Sequence, residues 1–150
     1  MFGYSGGQSL SGQGRRAMMR YLLDTSVCVF YLRGKLDFSR FVEGQWRECC
    51  CISEVTVLEL RYGAENNNNP QKHHHVVDVF LSGLTVVPIA SAVDAYAKEK
   101  VRLRRAGVPL HDEFDLIIGA SAIASDLIVV TDNTRHFKNF ENIKIESWGA

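Results

Sequence analysis

Short apolar runs alternate with longer amphipathic segments along most of the chain. Runs rich in Val, Ile, Leu and Cys, bounded by turn residues, predict five short strands at 20–24, 50–52, 84–87, 127–131 and 143–145. Capping residues, glycine stops and a helical apolar period predict helices between Ser26 and Gly34, Leu36 and Arg47, Ser53 and Gly63, Lys72 and Leu81, Ser91 and Ala106, and Asp112 and Ser125, with a short helical piece at 135–137.

Strands that alternate with helices predict a parallel sheet with helices on both of its faces, which makes the protein an α/β protein. In open sheets of this kind, sites form beyond the carboxyl ends of the strands. Asp24 ends one of the predicted strands, and Asp132 directly follows another. We therefore expect the functional site at this edge of the sheet.

Composition and charge favour one folded domain without a strong electrostatic preference. The chain has 150 residues, 46% of them hydrophobic, and 17 basic residues balance 17 acidic ones. Residues 1–17 contain no acid and several glycines and serines, so we predict a flexible leader there and a domain over 18–150. The four cysteines lack zinc-site spacing, and no run reaches the roughly 18–20 apolar residues of a membrane span. These features predict a cytoplasmic protein.

Four acidic residues stand where a carboxylate is costly or has a defined position. Asp24 and Asp132 lie at strand ends, whereas Glu59 and Asp115 lie in helices rich in apolar residues. Each has a structural alternative: a helix cap for Asp24, a solvated helix edge for Glu59, a capping arrangement for Asp115 and a turn for Asp132. Carboxylates that meet in one pocket repel one another unless a hard cation binds between them. The set predicts a metal-dependent enzyme that acts on phosphodiesters.

Other polar clusters are better explained as structural. Asp112, Glu113 and Asp126 fit caps or surface loops, so we rank them below the four acids. Three consecutive histidines, 73–75, point about 100° apart on a helix and cannot enclose one ion. They are typical of a solvated helix start.

The order of these motifs resembles the PIN-domain family and, more narrowly, the VapC toxins of bacterial toxin–antitoxin pairs. The resemblance rests on YLLDTS, ISEVTVLELRYGAE, AGVPLHDEFDLIIGASAIASDLIVVTDNTRHF and IKIESW, and it covers the chain from Met19 to Trp148. It implies a three-layer α/β/α fold with a central parallel sheet. It also implies a metal-dependent endoribonuclease that cuts RNA, with tRNA or rRNA as the expected substrate, and that forms homodimers and is inhibited by a cognate antitoxin.

The resemblance assigns roles to individual residues. It implies that Asp24, Glu59 and Asp115 hold Mg²⁺ or Mn²⁺ and that Asp132, which is Asn in many relatives, completes a weaker second site or binds through water. Ser26 stands where Asn is common in the family, and Thr131 matches a polar residue at the end of the last catalytic strand. Three or four carboxylates without histidine also suit the hard oxygen ligation that Mg²⁺ prefers.

Several basic residues are candidates for contact with the RNA backbone. Arg33 and Lys35 follow the first helix, and Arg102 and Arg105 share a face of the long helix. An ordinary solvated face with an Asp94–Lys98 pair explains the second group equally well.

Two other functions remain open at this point. A strand-end Asp24 could accept a phosphoryl group, but this chemistry uses paired acids near the first strand, and Asp24 has no neighbouring acid. A catalytically silent PIN-like scaffold could serve only in complexes. Intact carboxylates in costly positions argue against it. Phe30, Tyr31 and Trp46 are candidates for partner contact on an exposed surface, with core packing as their alternative.

Overall fold

The computed structural model describes residues 19–109 and 112–149, so the predicted leader, residues 1–17, lies outside the described residues. Within these two ranges, five strands and six α-helices follow one another in the predicted alternation. The strands are β1 (Tyr21–Leu23), β2 (Cys50–Ser53), β3 (Thr85–Val87), β4 (Ile128–Val130) and β5 (Lys144–Glu146). The helices are α1 (Thr25–Leu32), α2 (Trp46–Cys49), α3 (Glu54–Glu65), α4 (Pro70–Leu81), α5 (Val93–Arg105) and α6 (Glu113–Ser125), with 3₁₀ turns at Phe38–Arg40, Ile89–Ala92 and Thr134–His136.

The strands form one parallel sheet in the order β3-β2-β1-β4-β5. Side chains alternate across this sheet: Leu23 and Ile52 face the core beneath α1, α3 and α4, whereas Leu22 and Cys51 face the core beneath α5 and α6. Both faces are therefore covered, which is the usual condition of an all-parallel sheet. The predicted three-layer α/β/α fold is confirmed.

Local capping explains where most helices begin. The side chains of Ser53, Asn69 and Asp112 each accept a hydrogen bond from an otherwise unpaired backbone N–H in the first turn of α3, α4 and α6. At the end of α6, Asp126 adopts a left-handed conformation with φ 53°. The start signals read from the sequence are confirmed for α3 and α6, although α3 continues past Gly63 to Glu65.

The predicted helix from Leu36 to Arg47 is wrong. The chain instead forms a 3₁₀ turn at Phe38–Arg40 and the single turn of α2, and Gly44 between them has φ 79°. This backbone conformation interrupts a helix. Phe38 is buried, as the helix prediction required, but it is buried from the 3₁₀ turn. Its apolar character therefore did not distinguish a helix from this turn.

An aromatic cluster fills the core beneath α1 and α4. Tyr31 stacks on Phe38 with ring centroids 4.6 Å apart, and Trp46 meets both rings edge-on, at 5.2 and 4.9 Å. Phe80 and Trp148 extend the cluster. Phe30, Tyr31 and Trp46 are partly buried and pack against this core, which agrees with the core-packing alternative, and partner contact by their exposed parts stays a prediction.

Candidate active site

Asp24 lies at the carboxyl end of the central strand β1 and is almost fully buried, with 4% of its surface exposed. Its Oδ1 accepts a hydrogen bond from the Thr25 N–H (2.8 Å), which makes Asp24 the N-cap of α1. The helix cap that the sequence offered as the structural alternative for Asp24 is therefore observed. Burial raises the pKa of Asp24 despite the hydrogen bonds from Thr131 and Ser26.

Two hydroxyl groups orient the second oxygen of Asp24. Thr131, at the end of β4, donates to Oδ2 at 2.8 Å, and Ser26 donates to the same atom at 3.1 Å. Thr131 is fully buried and also accepts a hydrogen bond from the Asn133 N–H. Both residues thus lie against Asp24, where the sequence placed them, and they restrict the direction in which its carboxylate points.

Glu59 reaches the same pocket from α3. Its Oε1 accepts a short hydrogen bond from the Thr25 hydroxyl (2.6 Å), which also contacts the Thr56 hydroxyl at 3.0 Å. Burial is the main cause of a raised pKa for Glu59, and the charges of Asp112 and Asp24 raise it further. The edge of α3 that carries Glu59 therefore faces other acids as well as solvent.

Asp115 completes the group from the first turn of α6. Its Oδ2 lies 2.9 Å from Nδ1 of His136, which is on the 3₁₀ turn after β4. Burial, followed by the charges of Asp24 and Asp112, raises the pKa of Asp115 to about 6, although His136 opposes this shift. Three carboxylates from β1, α3 and α6 therefore share one electrostatic environment.

The positions of Asp112 and Asp132 differ from the ranking made from the sequence. Asp112 caps α6 and is exposed, yet its charge raises the pKa of both Glu59 and Asp115. Asp132 is half-buried beyond β4 and, within the described part of the chain, forms no hydrogen bond or ion pair with the other acids. The structure thus joins Asp24, Glu59 and Asp115 with Asp112, whereas the role of Asp132 stays a prediction.

Thr25, Asp112 and His136 are the participants that sequence reasoning missed as members of the site. Thr25 appeared only within the quoted YLLDTS motif, and His136 stood in the quoted TDNTRHF motif without a feature that separated it from a surface residue. The Thr25–Glu59 and His136–Asp115 contacts join residues 34 and 21 positions apart, so no local spacing could have revealed them.

The donor set suits a hard divalent cation. All three central residues supply carboxylate oxygens, and among the described residues none of them pairs with a Lys or Arg side chain. As the side chains stand, no three His, Cys, Asp or Glu residues of the described chain are arranged to hold an ion. Glu59 is instead hydrogen-bonded to Thr25, and Asp115 contacts His136.

Among the described residues, none of the four basic residues predicted to contact RNA forms a hydrogen bond or ion pair with Asp24, Glu59 or Asp115. Asp24 and Arg33 cap opposite ends of α1, about 12 Å apart for eight helical residues, and Lys35 lies beyond Arg33. Arg102 is hydrogen-bonded to Glu99 and to the Asn139 carbonyl oxygen. Arg105 is exposed at the end of α5. Phosphate contact by any of the four stays a prediction.

Comparison with known proteins agrees with this architecture. A family model described as the PIN domain matches residues 21–143. The tRNA(fMet)-specific endonuclease VapC of Shigella flexneri is 34% identical over 134 residues, which cover 87% of this chain and 99% of that protein.

Solved structures with the same fold include toxin–antitoxin complexes. DNA-bound VapBC from Salmonella typhimurium matches with a TM-score of 0.79 and 33% identity over 88% of this chain and all of the other. VapBC2 from Rickettsia felis, bound to a promoter DNA fragment, matches with a TM-score of 0.73 and 26% identity over 87% of this chain and all of the other. The chain belongs to the PIN-domain family and, within that family, to the VapC group.

Proposed function

We propose that this protein is a metal-dependent endoribonuclease that acts as the toxin of a toxin–antitoxin pair. The observation that carries the proposal is the meeting of Asp24, Glu59 and Asp115, which come from three separate elements and lack a Lys or Arg partner among the described residues. Each has a raised pKa caused first by burial, so each carboxylate would be stabilised by a cation. A curated relative named for cleavage of tRNA(fMet) supports tRNA as the substrate class.

We assign the principal Mg²⁺ or Mn²⁺ to Asp24, Glu59 and Asp115. When bound, the ion would lower the pKa of a water molecule and neutralise charge on the phosphate. Thr131 and Ser26 hold Asp24 in place, whereas Glu59 and Asp115 must turn from Thr25 and His136 to share a cation with it. Asp132, beyond β4, is proposed to bind a second ion or to act through water.

The partners follow from the same relatives. Because VapBC complexes match the fold, we propose a cognate antitoxin that binds this chain and blocks access to the acids. A homodimer and a cytoplasmic location are further parts of the proposal. Within the described residues no helix has the length and apolar character needed to cross a membrane.

Cleavage of labelled tRNA and rRNA by the purified protein tests this function. We expect discrete fragments with Mg²⁺ or Mn²⁺ and none with EDTA. Glu59→Gln should abolish the fragments, while Glu65→Gln, a change of the same kind at an exposed position of α3, should retain them. Absence of cleavage by folded, metal-saturated protein would contradict the proposal and leave a binding scaffold.

Growth of a bacterial host tests the toxin assignment separately. Expression of the chain alone should arrest growth, whereas expression of Asp24→Asn should not. Equal growth of the two cultures, at equal protein levels, would contradict the toxin role even if cleavage is observed in vitro.

A further inference from the structure

A cavity of about 500 Å³ opens next to Asp115, between α5, α6 and the segment that follows β4. Its floor is apolar and consists of Leu103, Leu116 and Phe140, each of them largely buried. Asp112 and Asp115 stand at one end of it. The volume lies within the range of about 300–1,000 Å³ that is typical of small-ligand pockets. The cavity is therefore large enough for one nucleotide and is continuous with the acids.

The rim of this cavity carries positive charge. Arg135 and Lys138 line it and are exposed, and within the part of the chain that the structure describes neither forms a hydrogen bond through its side chain or an ion pair. By contrast, Arg102, which reaches the same segment through the Asn139 carbonyl oxygen, is paired with Glu99. Two cations without a protein partner, beside an apolar floor, suit a ligand that joins an anion to an apolar ring.

We infer that this cavity binds a nucleotide of the RNA next to the phosphate that is cut, with that nucleotide's phosphate against Arg135 and Lys138 and its base over the apolar floor. The inference rests on the proposed ribonuclease function and adds a substrate-binding site to it. Unpaired bases can enter such a cavity, whereas a paired base in a duplex cannot, so the ligand is single-stranded RNA.

The anchoring of the segment supports a preformed site. Glu99 on α5 accepts a hydrogen bond from the Glu141 N–H (2.9 Å), and Arg102 donates to the Asn139 carbonyl oxygen (2.6 Å). The Phe140 ring packs directly on Gly119 of α6, where an added Cβ would lie 2.7 Å from the ring. The two cations are therefore presented from a segment that is held at both its backbone and its aromatic side chain.

Binding of a short, labelled, single-stranded RNA to the Asp24→Asn protein, which should leave the RNA uncut, tests the inference. We expect Arg135→Gln/Lys138→Gln in this background to weaken binding at least tenfold at low salt. The dependence of log K on log salt should fall by about 0.7, because one phosphate lies against the two cations and each phosphate contact to a single strand contributes about 0.7. A strand without bases at matched length should bind more weakly than the normal strand to the parent protein.

Arg40→Gln/Lys72→Gln provides the matched control, because it removes the same charge from exposed positions on the other side of the sheet. An equal loss in this control, or an unchanged salt slope in the Arg135/Lys138 variant, would overturn the inference. Equal binding of the baseless strand would reduce the cavity to a phosphate site and contradict the nucleotide assignment.

The same measurements separate this inference from the proposed function. Cleavage by the wild type together with an unchanged salt slope in the Arg135/Lys138 variant would contradict nucleotide binding in the cavity and support the nuclease function. Binding that depends on Arg135 and Lys138, without any cleavage by the wild type, would contradict the nuclease function and support nucleotide binding in the cavity. Thermal melts of each variant confirm that the compared proteins are folded.

Discussion

Two buried acids, Glu99 and Asp24, differ in what surrounds them. Glu99 is 8% exposed and Asp24 is 4% exposed, so burial alone does not distinguish them. Glu99 binds the Arg102 guanidinium through both oxygens and accepts the Glu141 N–H, and the hydrogen bond from Arg102 lowers its pKa. Among the described residues, the hydrogen-bond donors to Asp24 are hydroxyl and backbone groups, and its pKa is raised by burial.

The difference separates a structural carboxylate from a functional one. The protein supplies the charge partner of Glu99, and this pair fixes the segment after β4 to α5. Around Asp24 it supplies two more acids, Glu59 and Asp115, and among the described residues no Lys or Arg partner, so we expect a bound cation to supply the compensating charge. Burial of an acid becomes evidence for a metal site only when no cation of the protein lies beside it.

The largest expected effect is on catalysis. Asp24→Asn should lower RNA cleavage more than about 100-fold, because loss of even the groups that support a metal ligand costs about 10–100-fold. Glu99→Gln, at a similarly buried site, should retain most of the activity per folded molecule. Rates measured for both variants at a temperature where both are folded check this contrast, and comparable losses would remove the distinction between the two acids.

For stability we expect the opposite order, with substitution of Glu99 costing more than substitution of Asp24. Glu99→Gln leaves the Arg102 charge without its closest partner, so it should lower the free energy of unfolding by about 2 kcal/mol at neutral pH. Because the pKa of Glu99 is lowered in the folded state, this loss is complete above the carboxyl group's ordinary pKa and disappears as the pH falls below it. Urea unfolding at neutral and acidic pH measures it. Glu141→Gln, which removes an exposed acid beside the same arginine, should cost much less.

The close approach of Phe140 to α6 depends on the absence of a side chain at Gly119. Gly119→Ala places a Cβ 2.7 Å from the Phe140 ring and should lower the free energy of unfolding by about 2 kcal/mol. Gly63→Ala on α3 meets nothing within 4 Å and should raise it by about 0.5–1 kcal/mol, as expected for Ala in a helix. Denaturant unfolding of the two variants gives the sign directly. If both substitutions raised the free energy of unfolding, the Phe140 ring would be able to move away from α6 without loss of stability, which would contradict this prediction.

A smaller effect should appear at Asp115 in metal-free buffer. Its folded-state pKa of about 6 exceeds its ordinary value of 3.8, so the folded state loses stability as the pH rises from about 4 to 6. Asp115→Asn removes this penalty and should raise the free energy of unfolding by about 1 kcal/mol above pH 6, less than the full shift because the pocket is open to solvent. Below about pH 4 the gain should vanish. Thermal melts with EDTA across this range test it, and a gain that is independent of pH would contradict the assigned cause.

The sequence predicted most of the fold because its signals are local. Short apolar runs and the caps Ser53 and Asp112 predicted the elements, and the order of the acids predicted the pocket. The segment 36–47 was mispredicted because Gly44 adopts a positive φ that its neighbours do not signal.

Contacts between distant positions could not be predicted in the same way. The Thr25–Glu59, Asp115–His136 and Glu99–Glu141 contacts join residues 34, 21 and 42 positions apart. For this reason Arg102 resembled a surface cation available to RNA, whereas the structure pairs it with Glu99.

Direct binding of Mn²⁺, measured by calorimetry on the wild type, Asp115→Asn and Glu99→Gln, tests the central claim. We expect the wild type and Glu99→Gln to bind the ion with similar affinity and Asp115→Asn to bind it at least tenfold more weakly. Equal binding by Asp115→Asn and the wild type would show that these carboxylates do not hold the cation, and the contrast between the two kinds of buried acid would then fail.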